Sequence, residues 1–199
     1  MEQYKLFNFY KMFIEIDILF FNKMEDYSFK ILVIGPAAVG KSSLIRRFVE
    51  NKFSLQYKFT IGVDFLSKNV EYEKGKNARL IIWDIGGQDR FKSLRHSFYE
   101  GTNGALVVFD LSRAKTFSKM KEWLSNMRQI IKDDIPVVII GNKADLISEI
   151  GEVIDRNEAQ NYAEKENSLY IETSAKEGNN VENAFIELTN RIIKYIDSE

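Results

Sequence analysis

The sequence of 199 residues contains no cysteine, and this absence excludes several kinds of chemistry. Disulfides, thiolate catalysis and zinc fingers are ruled out, as are prenylation and palmitoylation of the residues present. Glu2 stands where a myristoylation signal requires glycine. The lack of cysteine fits a reducing compartment, so we expect a cytoplasmic protein, either free or peripheral at a membrane without lipidation.

An excess of charge of one sign is also missing. The formal net charge is −1, so no overall field attracts nucleic acid, and we expect no nucleic-acid partner. No apolar run approaches the ~20 residues that a membrane span requires. With 45% apolar and 29% charged residues, the composition is typical of a soluble globular protein. The length suits one domain plus an appendage, and we expect a monomer.

The appendage is an N-terminal extension, residues 1–28, before a domain at 29–197. It is rich in Phe, Ile and Tyr and lacks glycine. The segment Met12–Phe20 fits a strand and a helix equally well. One hypothesis is that residues 1–23 contact a membrane as an amphipathic segment. The other, which we favour, is that translation begins at Met24, since no Lys/Arg-rich polar face is evident.

The rest of the chain alternates strands with helices, which predicts a doubly wound α/β domain with ligand loops at the carboxyl ends of the strands. Short apolar runs are typical of strands that are buried in a parallel sheet. The polar loop 73–77 indicates a hairpin, so we expect six strands with one antiparallel edge strand. The predicted strands are Lys30–Ile34, Val63–Glu71, Arg79–Trp83, Ala105–Phe109, Val137–Ile140 and Leu169–Ile171.

Helices are predicted between the strands from apolar spacing and cap residues. An apolar stripe of Phe117, Met120, Leu124, Met127 and Ile131 indicates one helix, and a stripe from Val181 to Ile192 another, over Val181–Ile196. Asp155 with Glu158 resembles a capping box at the start of a third helix.

A glycine-rich loop, GPAAVGKS, joins the first strand to a helix, as a phosphate-binding loop requires. The glycines let successive backbone N–H groups point at phosphate oxygens, and the helix N-terminus adds partial positive charge. Lys41 can reach the β- and γ-phosphates, and the Ser42 hydroxyl can ligate Mg²⁺. The residues predicted to surround the phosphates are Gly35, Ala37, Ala38, Val39, Gly40, Lys41, Ser42 and Ser43.

Two later loops indicate guanine rather than adenine. Asp145 of NKAD can accept hydrogen bonds from guanine N1–H and the 2-amino group, neither of which adenine offers. In ETSAK, Ala175 leaves room for a backbone N–H to reach the guanine carbonyl, and Lys176 can pack over the base. These loops argue against the alternative that the chain is an ATP-dependent enzyme. The predicted base-binding residues are Asn142, Lys143, Asp145, Ser174, Ala175 and Lys176.

A third group of residues is predicted to hold magnesium and to hydrolyse the nucleotide. Asp84 follows a strand and can hold Mg²⁺ through a water, and Ser42 can ligate the ion directly. Thr60 can complete the Mg²⁺ shell only while a γ-phosphate is present. Gly87 can offer its N–H to the γ-phosphate, and Gln88 can orient the attacking water. These assignments give catalytic roles to Lys41, Thr60, Gly87 and Gln88.

The motifs GPAAVGKSSL, TIGVDF, WDIGGQDRF, GNKAD and ETSAK occur in this order over about Phe29 to Ile196. In this the chain resembles the Ras-superfamily small GTPases, nearest the Rab branch. The resemblance implies that Phe53 stacks edge-on against guanine and that Trp83 faces effectors. It also implies that loops 52–62 and 86–98 are switches that bind effector, exchange-factor and activating proteins.

The chain departs from the Ras and Rab pattern within two of these motifs. Ile85-Gly86 replaces the usual Thr-Ala, so that DIGGQ is similar to the Arf motif. Ala37 and Ala38 occupy positions where many Ras-type loops have glycine, and a methyl group there is expected to crowd an arginine supplied in trans. The leading hypothesis is a switch that hydrolyses GTP to GDP, and the alternative is a GTP-loaded scaffold with negligible hydrolysis.

Overall fold

The computed structural model describes residues 27–55, 60, 62–87 and 95–198, and only the backbone of residues 95 and 96. Both hypotheses for the N-terminal extension concern residues before Tyr27 and so lie outside the described part. The assignment of Gln88 lies outside it as well.

The described residues form a sheet of six strands in the order β2-β3-β1-β4-β5-β6. All neighbouring pairs are parallel except β2 and β3, which form the antiparallel edge hairpin. The predicted fold class is therefore confirmed. The strands are β1 (Tyr27–Ile34), β2 (Val63–Glu73), β3 (Lys76–Ile85), β4 (Gly104–Asp110), β5 (Val137–Asn142) and β6 (Leu169–Thr173).

Helices cover both faces of this sheet. They are α1 (Lys41–Glu50), α2 (Arg95–Tyr99), α3 (Ala114–Ile130), α4 (Ile147–Ile150), α5 (Arg156–Lys165) and α6 (Val181–Ile196), with a short 3₁₀ turn at Ala144–Leu146. The three helices that apolar spacing or a cap residue predicted are α3, α5 and α6, and each has its buried side chains on one stripe.

The core has two layers because alternate side chains of each strand point to opposite faces. Ile31 and Val33 belong to the layer under α1 and α6, whereas Leu32 and Ile34 belong to the layer under α3 and α5. In the first layer the rings of Phe48 and Phe185 stack with centroids 3.8 Å apart. This stack fixes α1 against α6. Because α1 begins at the end of the glycine-rich loop, the stack also fixes the position of that loop.

Strands β4 and β5 run past the predicted ends to include Asp110 and Asn142, which pair with each other in register. Sequence reasoning ended both strands at the last apolar residue, but backbone pairing continues into the polar residues that follow. Both polar side chains are consequently held at fixed positions at the carboxyl edge of the sheet.

Two sequence-based expectations are wrong. Trp83 does not face outward, because it is only 7% exposed and packs edge-on against Phe65 at 4.5 Å between ring centroids. The capping box at α5 is only half formed. Asp155 does cap the helix, but it accepts the N–H of Asn157 and not that of Glu158, and the Glu158 carboxylate accepts a hydrogen bond from Lys121 on α3.

Within the described ranges, no helix combines the length and the apolar composition that crossing a membrane requires.

Replacing Phe185 by alanine is expected to lower the free energy of unfolding by about 3–5 kcal/mol, because a buried aromatic ring is replaced by a cavity. Replacing Ile196, which is 40% exposed at the end of the same helix, is the control and should cost much less. Urea denaturation of both variants measures the difference. Equal losses would contradict the placement of Phe185 at the junction of α1 and α6.

Candidate functional site

The glycine-rich loop leaves β1 at Gly35 and enters α1 at Lys41. Gly35 and Gly40 have φ values of 137° and 96°, which favour glycine. A Cβ at Gly35 would collide with the carbonyl of Val108, and one at Gly40 would collide with the side-chain amide of Asn142. Both glycines are therefore required by conformation and by space.

Lys41 lies at the start of α1 and is only 6% exposed. Its Nζ donates to the carbonyls of Gly35 at 2.9 Å and Pro36 at 2.8 Å. The ammonium group is thus held inside the curve of the loop, where the partial positive charge of the helix N-terminus also acts. This arrangement concentrates positive potential in the concave side of the loop.

Ser42, Thr60 and Asp84 converge beside the loop. The Thr60 hydroxyl lies 2.7 Å from the Ser42 hydroxyl and donates to Asp84 Oδ2 at 3.1 Å, and Ser42 also donates to that oxygen. Asp84 is 2% exposed, and its Oδ1 has no hydrogen-bond partner in the part of the chain that the structure describes. Burial raises the pKa of Asp84, although the hydrogen bond from Ser42 and the nearby Lys41 charge oppose the rise.

The segment after β3 is packed between this cluster and the loop. Gly86 donates its N–H to the carbonyl of Gly62 at 2.9 Å, and a Cβ on Gly86 would lie 2.9 Å from the carbonyl oxygen of Thr60. A Cβ on Gly87 would overlap the backbone of Pro36 and Ala37. The two glycines of the DIGG motif are therefore required by space, because a side chain at either position would push the neighbouring backbone segments apart.

Asn142 connects three segments from its place at the end of β5. It is 1% exposed. Its Nδ2 donates to the carbonyl of Val39 at 2.9 Å, while its Oδ1 accepts from the Thr173 hydroxyl at 3.1 Å and from the Ala175 N–H at 3.2 Å. One buried amide thus ties the glycine-rich loop, β6 and the loop after β6 together.

Lys143 also reaches the glycine-rich loop. Its Nζ donates to the carbonyl of Ala38 at 3.2 Å and pairs with Asp110 at 2.7 Å. Asp110 is fully buried at the end of β4. Burial alone would raise the pKa of Asp110, but hydrogen bonds from Lys143 and Ser112 hold it below its usual value.

Asp145 lies in the turn after Lys143, and its side chain is only 6% exposed. The Ser174 hydroxyl donates to Asp145 Oδ1 at 2.6 Å, and the Lys176 ammonium lies 3.8 Å from Oδ2. Ser174 Oγ in turn accepts the N–H of Glu177. The Asp145 carboxylate is thereby fixed in orientation by Ser174 and lies beside the ammonium group of Lys176.

The loop that follows β6 is also held from α1. Arg47 Nε donates to the carbonyl of Ala175 at 3.0 Å, and Nη2 donates to that of Lys176 at 2.7 Å. Its Nη1 bonds the backbone carbonyl and side chain of Asn51 at the end of α1. Phe53, two residues later, is partly buried against the first core layer.

The structure thus brings the predicted residues of the glycine-rich loop together with Thr60, Asp84 and Gly87 on one side and with the two base loops on the other. Ser43 lies on the first turn of α1, next to Ser42. Gln88 is the one predicted site residue outside the described ranges.

A sequence profile of the Ras family matches residues 30–194. The chain belongs to the Ras family. It is 40% identical to Ras-related protein Rab11B of Nicotiana tabacum over 171 residues, which cover 86% of this chain and 77% of that protein. It is 42% identical to Ras-related protein Rab-4B of Rattus norvegicus over 173 residues, 87% of this chain and 80% of that protein.

The predicted resemblance to Rab-like small GTPases is confirmed by these matches. As a member of this family the protein is a small GTPase, that is, a GTP hydrolase. Small GTPases in general bind GTP and GDP together with Mg²⁺, and they interact with regulator and effector proteins.

Sequence reasoning missed two residues that hold the site of this small GTPase together, Asp110 and Arg47. Asp110 comes at the end of an apolar run, as Asp84 and Asn142 do. Because ligand-binding residues were expected at the carboxyl ends of strands, Asp110 could have been predicted in the same way. Arg47 lies in a helix with no motif around it, and only the folded chain places it beside Ala175 and Lys176.

Replacing Asn142 by alanine is expected to speed release of a fluorescent GDP analogue by at least about tenfold, because Val39, Thr173 and Ala175 all lose a partner. Asn161, exposed on α5, is the matched control for an Asn→Ala change. Stopped-flow measurement of release from both variants is the test. Unchanged release from N142A would show that the amide does not hold the loops.

Proposed function

We propose that this chain is a molecular switch that hydrolyses GTP to GDP and phosphate and binds effectors in its GTP state, in membrane traffic or signalling. The observation that carries the proposal is the set of contacts that join five separate segments at the carboxyl edge of the sheet: the glycine-rich loop, Thr60, Asp84 and the two base loops. Each segment supplies groups that suit a different part of a guanine nucleotide.

The phosphates are assigned to the glycine-rich loop. Gly35 and Gly40 give it the curvature that directs backbone N–H groups inward, and α1 begins at its end. Lys41 adds a full positive charge from within the curve. Ala37, Ala38, Val39 and Ser43 contribute backbone rather than side-chain chemistry in this proposal.

The residues beside the loop fit magnesium. Two hydroxyls and a carboxylate lie within hydrogen-bond distance of one another, and hard oxygen donors are what Mg²⁺ prefers. Asp84 Oδ1 is buried and has no hydrogen-bond partner among the described residues, so it is available to bind a cation or a water molecule. We assign Ser42, Thr60 and Asp84 to the ion, which when bound neutralises phosphate charge.

The base is assigned to Asp145, Ala175, Lys143 and Lys176. The Asp145 carboxylate is oriented by Ser174 and is the group that would accept guanine N1–H and the 2-amino group. An adenine at this place would leave the carboxylate unpaired, which costs several kcal/mol. Arg47 holds the carbonyl of Ala175, and Asn142 Oδ1 accepts the Ala175 N–H at 3.2 Å. When a base is bound, this N–H would be shared between Asn142 and the guanine carbonyl.

The switch itself is assigned to Thr60 and Gly87. Thr60 contacts Ser42 directly, and Gly87 lies against Pro36 and Ala37. A γ-phosphate held by the glycine-rich loop would therefore contact both residues. Loss of this group on hydrolysis would release loops 52–62 and 86–98, which we propose as the surfaces for effector, exchange-factor and activating proteins.

For the location we propose a cytoplasmic monomer that is peripheral at a membrane, with residues 1–23 as the candidate contact if they are part of the native protein. The intact mass of the protein from its native source decides whether they are. A mass that begins at Met24 would remove this contact from the proposal.

Replacing Gln88 by leucine is expected to leave GTP binding intact and to slow hydrolysis at least about tenfold, because the attacking water loses the group that orients it. Phosphate release in a single turnover measures this. The control is Asn161→Ala, which should hydrolyse at the parental rate. If the parent itself releases no phosphate, with or without cell extract, the GTP-loaded scaffold is the correct reading.

Replacing Asp84 by alanine is expected to abolish the effect of magnesium on nucleotide retention. In the parent, chelation with EDTA should speed GDP release by about tenfold or more, as expected for loss of a bound metal. In D84A, release should already be fast and insensitive to EDTA. A D84A protein that responds to EDTA as the parent does would remove Asp84 from the metal site.

A further inference from the structure

Ala38 has a backbone conformation that is unusual for a residue with a side chain. Its φ is 62°, in the left-handed region that glycine adopts freely and alanine does not. Alanine at this position holds the turn only if surrounding contacts fix it.

Two cationic side chains fix the carbonyl of Ala38. Arg113 Nη2 donates to it at 2.7 Å and Lys143 Nζ at 3.2 Å. Both side chains also bond the same oxygen of the buried Asp110, Arg113 through Nε at 2.7 Å and Lys143 at 2.7 Å. The other Asp110 oxygen accepts from the N–H and hydroxyl of Ser112.

The direction of this carbonyl determines the direction of the next N–H. In a trans peptide the C=O and the N–H point to opposite sides of the chain. Because the Ala38 carbonyl points to Arg113 and Lys143, the N–H of Val39 points the other way. A change in the Ala38 peptide would therefore redirect one of the N–H groups that the loop offers to phosphate.

Arg113 is itself well anchored for this role, although its side chain is 44% exposed. It is the N-cap residue of α3, and its carbonyl accepts from both the N–H and the hydroxyl of Thr116. The planar guanidinium bonds Asp110 through Nε and Ala38 through Nη2, so two separate N–H groups fix its plane against the two acceptors.

We propose that Arg113 is a positioning residue of the phosphate-binding loop, which holds the left-handed turn at Ala38 and so slows release of the bound nucleotide. This inference rests on the proposed function, since it requires that the loop binds phosphate. It assigns a role to a residue outside the motifs, and it explains how this loop accommodates alanine where glycine would need no such support.

The test measures release of a fluorescent GDP analogue from the full chain loaded with GDP analogue and Mg²⁺. R113A is expected to release about tenfold faster, the effect of losing a charge-assisted hydrogen bond. R113K keeps the charge without the fork and should fall between R113A and the parent. Lys115→Ala, an exposed neighbour on α3, is the matched control and should release at the parental rate.

Testing R113A in an A38G background shows whether Arg113 acts by supporting the turn at Ala38 or has a general structural role. If Arg113 holds the strained turn, R113A should speed release about tenfold in the parent but no more than about twofold in the A38G background, because glycine keeps the turn unaided. An equal effect in both backgrounds would overturn the inference, as would parental release from R113A. If R113A does not fold, the same comparison is made with R113K.

The two levels of proposal fail differently. A parent protein that does not retain the GDP analogue at all contradicts the proposed function. A parent that retains it, with R113A and R113K releasing at the parental rate, contradicts only the role of Arg113.

Discussion

The site depends on a single buried amide, that of Asn142. A buried amide must have its donors and acceptors satisfied, and the partners of this one belong to different parts of the chain: Val39, Thr173 and Ala175. Satisfying them requires the glycine-rich loop and the loop after β6 to lie at fixed distances from β5. The close approach leaves no space for a side chain on Gly40, whose Cβ would overlap the amide. The position of Asn142 is thus one reason why residue 40 of the phosphate-binding motif is glycine.

The parallel sheet makes this arrangement possible. Strands β1, β3, β4, β5 and β6 all run in one direction, so their carboxyl ends share an edge. Each carboxyl end places one loop or side chain at this edge. In the order β1, β3, β4, β5, β6 these are the glycine-rich loop, Asp84, Asp110, Asn142 and the loop that contains Ser174. Two of these are buried carboxylates that differ in state. Asp110 is saturated with donors, which keep its pKa low, whereas Asp84 has an oxygen left over and a raised pKa. We read the first as structural and the second as a place for a cation.

Most of the fold could be predicted from the sequence, because buried parallel strands and amphipathic helices leave local signals. The apolar runs, the hairpin at 73–77 and the stripe on α6 are of this kind. Contacts between distant residues leave no such signal. Glu158 has the right spacing for a capping box, yet Lys121 of another helix takes its carboxylate. The direction of Trp83 depended on Phe65 across the hairpin, and the strain at Ala38 is visible only in the backbone angles.

The central claim is that these loops form one pocket that selects guanine. Its most direct test is to denature freshly purified protein and identify the released nucleotide by chromatography and mass spectrometry. We expect GDP or GTP at about one equivalent per chain, since a tightly bound ligand stabilises the folded protein and stays with it. Release of an adenine nucleotide would contradict the account. So would an empty protein that, when offered guanine and adenine nucleotides together, shows no preference for guanine.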